Sequence, residues 1–134
     1  MSSARQCWAA GVGCLLLVTS LASSQSLKDP TLSVTEVVAG LSAPTAMVFI
    51  GPADILVLQK NDGLVRRVLN GALQPAPVLD VAVDGSSERG LLGIAVHPAF
   101  PAVPWVYLYF TESSTGADTV GSPPPVGNRI YRLR

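Results

Sequence analysis

Thiols are almost missing from this 134-residue chain, and the two it has, Cys7 and Cys14, both fall within its first fourteen positions. Everything after them is therefore without a disulfide, a thiolate metal ligand or a cysteine nucleophile. Histidine is equally scarce: His97 stands alone, so no pair of imidazoles is available to hold a metal. Charge is sparse too, at 13% of residues, with nine Lys and Arg against nine Asp and Glu and no run of either sign. A neutral chain of this kind lacks the basic footprint that nucleic-acid binding requires. Motifs for phosphate cradling and for a serine nucleophile elbow are also missing.

The one extended apolar stretch is short. Met1 to Ser24 opens with a single cation, Arg5, runs through "WAAGVGCLLLVTSLA" and closes on Ala22, Ser23 and Ser24. Those are the three parts of a secretory signal peptide. The run holds about a dozen residues and is interrupted by Gly11 and Gly13, against the roughly 20 that span a bilayer. Residues 1–24 are thus read as a signal peptide, cleaved between Ser24 and Gln25, and residues 25–134 as the exported domain. An uncleaved anchor is the alternative. Export would deliver the chain to a periplasm or to the outside medium. Nothing later in the sequence reads as a stable membrane span.

What is present after the signal is a series of short apolar runs separated by turn residues, the spacing of an all-β domain. "LSVTEVVAG", "TAMVFIG", "DILVLQK", "LVRRVLNG", "APVLDVAV", "LLGIAV" and "WVYLYFTE" follow one another, "NRIYRLR" then starts what reads as a new strand, and no segment sustains a helical period. Asn61-Asp62-Gly63 and Asn70-Gly71 supply the residues that tight hairpins demand. "WVYLYF" is apolar on both faces and calls for cover on both sides, whereas "LVRRVL" puts Arg66 and Arg67 on opposite faces, which suits an outer strand. Small stacked sheets of a β-propeller fit this pattern, and a β-sandwich fits its periodicity nearly as well. Residues 112–128, "ESSTGADTVGSPPPVGN", are expected to be a long surface loop, disordered or binding.

"VVAGLSAPTAMVFI", "ILVLQKNDGLVRRV", "ERGLLGIAVHPAFPAVPWVYLYFTES" and "NRIYRLR" together resemble, in order and spacing, the N-terminal region of the glucose/sorbosone dehydrogenase family. The resemblance covers about residues 34–134 and is most specific at "GLLGIAVHP" followed by an aromatic strand. It implies an all-β fold, the N-terminal portion, one and a half to two blades, of a six-bladed β-propeller. It also implies oxidation of an aldose at its anomeric carbon by pyrroloquinoline quinone (PQQ), with calcium ions holding the cofactor and an electron acceptor taking the electrons. A mature length of about 110 residues is short of a closed propeller of at least four blades, so the chain reads as an incomplete N-terminal part, inactive and poorly stable alone.

The site residues follow from the same resemblance. The catalytic base belongs to a later His-bearing segment, so none is expected in this chain. His97, followed by Pro98, is then a scaffold feature: proline ends the strand and the imidazole bonds a local carbonyl. Glu88, two positions before the first glycine of "GLLG", falls at the inner mouth of the propeller, where better-studied relatives carry glutamine. With Arg89 it is the candidate for contact with sugar or cofactor, the alternative being an exposed Glu88–Arg89 ion pair of little worth. Gly90 and Gly93 allow a bulge or a close backbone approach. Asp84, Gly85, Ser86 and Ser87 form an oxygen-rich stretch without the alternation of a calcium loop, read as a turn, and no metal site is expected. Two other readings stand beside an exported sugar dehydrogenase. One is a non-catalytic secreted propeller of the hedgehog-interacting type. The other is a small secreted β-protein that self-associates through "NRIYRLR".

Overall fold

In the computed structural model, residues 27–134 are described, so the proposed signal peptide and both cysteines lie outside the described residues. The chain divides into two units at Val34/Thr35. Of the first, residues 27–34 show only a local turn, in which the Thr31 amide and hydroxyl donate to Asp29 Oδ1 at 2.9 and 2.7 Å.

The second unit is all-β, with eight strands: β1 Pro44–Gly51, β2 Asp54–Gln59, β3 Leu64–Leu69, β4 Ala72–Leu73, β5 Leu79–Asp80, β6 Leu91–Val96, β7 Val106–Glu112 and β8 Gly127–Leu133. They make two antiparallel sheets, β1-β2-β3-β4 with β5 also on β3, and β6-β7-β8. Hairpin chemistry explains the first. At Asn70 and Gly71 φ is 52° and 77°, and Leu69 pairs directly with Ala72, which is a two-residue turn with both central residues left-handed. The two-residue strands β4 and β5 share the outer edge of β3, on which Arg66 and Arg67 sit half-buried, Arg67 bonded to Asp54 at 2.8 Å through Nε.

Strand parity puts the core between the sheets. Leu56, Leu58 and Val65 from the first meet Leu91, Leu108 and Phe110 from the second, with Val83 between them. Burying each such side chain stabilises the fold by about 1.5–3 kcal/mol. The opposite faces are open. On the first sheet Met47 and Phe49 are 59% and 58% exposed beside a groove of about 380 Å³ lined by Val37, Val38, Leu41 and Val57. On the second, Tyr109 and Ile130 are 38% and 72% exposed.

Three expectations change. "LSVTEVVAG" forms no strand: residues 32–42 are irregular and mostly exposed, because alternation alone supplies no neighbouring strand to bond. "APVLDVAV" shrinks to β5 and an isolated bridge at Val83, its backbone being claimed by a loop described below. "WVYLYF" is covered on its Leu108 and Phe110 face, while the Tyr107 and Tyr109 face is half open.

Candidate functional site

One end of the two sheets gathers three connections: the β2–β3 hairpin at 60–63, the loop 84–90 that carries Glu88 and Arg89, and the loop 113–126. Asp84 joins the last two. Its side chain is fully buried, and Oδ1 accepts from the Ser86 amide at 3.0 Å, the Ser86 hydroxyl at 2.6 Å and the Gly121 amide at 3.1 Å. Oδ2 accepts from Arg89 Nη1 at 3.2 Å. These donors, Ser86 first, hold the carboxyl at about 2, below its usual value. Asp84 and Ser86 do form a turn, as the sequence suggests. The sequence does not show the burial, since Gly121 and Arg89 reach Asp84 only through the fold.

The same contacts revise the reading of the long loop. Gly85 donates to Thr119 O at 2.9 Å, Thr119 to Val83 O at 2.8 Å, and Asp118 Oδ1 accepts from the Val83 amide at 3.0 Å. The loop is therefore fastened to the Glu88 loop rather than being a disordered excursion. This is also what diverts residues 81–84 from a longer strand.

Gly90 is needed by geometry. Its φ is +126°, and a Cβ there would overlap the Lys60 carbonyl oxygen and approach Lys60 Cγ to 2.8 Å. That carbonyl accepts the Leu91 amide at 2.9 Å, and Leu91 O accepts the Thr45 hydroxyl at 2.8 Å, tying the start of β6 to the first sheet. At Gly93 the β6–β7 register shifts, and Tyr109 Cβ lies 3.3 Å from where a Cβ would stand, in keeping with the expected bulge and close approach.

Glu88 and Arg89 are both exposed at this end. The ion-pair alternative is not the one formed, because the Arg89 guanidinium turns to Asp84 instead of Glu88; its side chain remains 47% exposed. That leaves the Glu88 carboxylate facing solvent as a hydrogen-bond acceptor, with a cation beside it. His97 lies at the far end of β6, half-buried, with its amide on Trp105 O at 2.9 Å. Its Nδ1 accepts the Ala99 amide at 3.1 Å, where a bond to a carbonyl was expected, and its ring meets Trp105 edge-on at 5.4 Å. Pro98 follows outside the strand. The imidazole closes the 97–100 turn and is not brought to Glu88.

These residues do not by themselves make a site for PQQ or calcium. Among the described residues no group of three His, Cys, Asp or Glu is placed to hold a metal. Asp84 spends its oxygens on internal donors, and Arg89 is the exposed cation of the Glu88 loop. No helix among the described residues is long and apolar enough to cross a membrane.

Stacked antiparallel sheets with hairpin connections, open on their outer faces, are the blades of a β-propeller, and comparison with known proteins agrees. The glucose/sorbosone dehydrogenase family matches residues 41–122. The chain belongs to that family. A Thermus thermophilus protein described as an oxidoreductase (glucose dehydrogenase) superposes with a TM-score of 0.59 and 34% identity, over 75% of this chain and 26% of its own. The PQQ-bound aldose sugar dehydrogenase of Streptomyces coelicolor gives 0.57 and 31%, over 74% and 26%. An uncharacterized Synechocystis protein is 29% identical over 67% of this chain and 24% of its own length. The chain thus spans about a quarter of the length of these relatives.

Proposed function

We propose that this chain is the N-terminal part of an exported, PQQ-dependent sugar dehydrogenase that oxidises an aldose at its anomeric carbon. Within it, the Glu88 loop forms one wall of the active-site mouth. The observation that carries the reading is the likeness, at 31% identity, to an aldose sugar dehydrogenase seen with PQQ bound. Glu88 and Arg89 support it, since an exposed carboxylate beside a guanidinium can accept from sugar hydroxyls and donate to an anionic group.

The base that takes the hydroxyl proton, the calcium ligands and most of the PQQ contacts belong, in this reading, to the portion of the family fold outside this chain. No step is assigned to His97. The electrons pass to an external acceptor. Export rests on the signal-peptide pattern of residues 1–24.

The test is a protein carrying this chain together with the remaining three quarters of the relatives' length, loaded with PQQ and calcium and supplied with an artificial electron acceptor. Aldose-dependent reduction of the acceptor, strict in its need for PQQ, is expected. No reduction with any aldose would sink the assignment.

A further inference from the structure

Lys60 directly follows β2 and is half-buried, and its ammonium is fully engaged: Nζ donates to Ser87 O at 2.7 Å, to Gly85 O at 3.1 Å and to Asn61 Oδ1 at 3.3 Å. Its carbonyl accepts the Leu91 amide, so side chain and backbone of one residue grip the loop on both sides of Glu88. Between these two grips Ser87 sits at φ +49°, a conformation that a non-glycine residue holds only when its surroundings enforce it. From these contacts we infer that Lys60 is a positioning residue: it fixes Ser87, and with it the direction in which Glu88 and Arg89 leave the backbone.

Asp84 anchors the loop from below through Ser86 and Arg89, and Lys60 from the side through Gly85 and Ser87. Two anchors on four of the five residues Gly85–Arg89 leave the Glu88–Arg89 peptide little freedom, which is what a polar group meeting a ligand of fixed geometry needs. A lysine serves because its ammonium can donate to two carbonyls at once from a flexible stem. The inference rests on the sugar-dehydrogenase reading for what the loop contacts, but not for the geometry itself.

The test uses Lys60→Met, which keeps the stem and removes the donors, and Lys60→Arg, which restores them. Hydrogen exchange on the full chain reads the loop directly, because the Arg89 amide is bonded to Ser86 O at 2.9 Å. K60M is expected to speed exchange at Arg89 by about tenfold while β2 and β7 amides keep their rates, and K60R to remain within about threefold of the parent. In the PQQ-loaded dehydrogenase, K60M is expected to raise KM for the aldose by about tenfold with kcat less affected, and K60R to recover most of it. An unchanged Arg89 rate, an equal acceleration throughout the strands, or a parental KM in an active K60M enzyme would each overturn the inference. If the parent enzyme oxidises no aldose, the proposed function fails, and the exchange rates still decide the role of Lys60.

Discussion

Replacing Gly90 with alanine adds one methyl group at a tightly constrained point of the candidate site. Two costs combine there. The residue is held at φ +126°, for which an L-side chain costs about 1–3 kcal/mol. The methyl also runs into the Lys60 carbonyl and stem, and overpacking of a rigid neighbour typically adds about 1–3 kcal/mol. The neighbour cannot retreat, because Lys60 O bonds Leu91 N while Gly90 O accepts the Thr111 amide at 3.0 Å. Against this stands a gain of about 0.4–1 kcal/mol from a stiffer unfolded chain. The net expectation is a loss of about 3 kcal/mol, a large part of the 5–15 kcal/mol that holds a typical domain together. Gly116→Ala is the internal control, since Gly116 has φ +77° but nothing within 4 Å of a Cβ. It should stay within about 1 kcal/mol of the parent. Urea titrations followed by circular dichroism measure both. Equal losses in G90A and G116A would refute the argument, because they would mean that backbone conformation alone, and not the grip of Lys60 on the loop, sets the cost.

Asp84 gives a pH dependence of known sign. Its folded pKa of about 2 lies below the usual carboxylate value, so its contribution is complete above about pH 4 and fades as pH falls toward 2. Protection of the Ser86 and Gly121 amides, taken relative to the intrinsic exchange rate at each pH, should fall over that window in the parent, and an Asp84→Asn variant showing the same acid-induced change would exclude Asp84 as its source. His97→Asn should lose about 1 kcal/mol through the Ala99 and Trp105 contacts while leaving kcat of the proposed PQQ-loaded dehydrogenase within about twofold. A hundredfold fall in kcat with an intact melt would show that His97 touches the reaction after all.

The positions of six strands were legible in the sequence. β1, β2, β3, β6 and β7 each coincide with an apolar run bounded by turn residues, β8 with the segment "NRIYRLR" that reads as a strand after the long loop, and Asn70-Gly71 announced its hairpin because few other pairs tolerate two left-handed conformations. The family, too, was legible, since "ERGLLGIAVHP" and the aromatic strand after it form a specific order. What sequence order leaves open is which backbone groups find partners. "LSVTEVVAG" alternates as a strand should, yet β1 bonds β2 on one edge only, and the 32–42 backbone is not its partner on the other.

The site divides in the same way. Glu88 and Arg89 were marked by the family resemblance, and Gly90 by the conformational freedom a bulge or close approach demands. Arg89's choice of Asp84 over its neighbour Glu88, the fastening of loop 113–126 and the grip of Lys60 from twenty-seven residues away belong to the tertiary structure. Each depends on loops that meet only when two sheets stack, and a buried carboxylate or an ammonium satisfies itself with whatever donors or carbonyls that stacking delivers. Period, turn chemistry and motif order therefore determined the elements and the family, while the pairing of polar groups around the Glu88 loop was decided by distance in the fold.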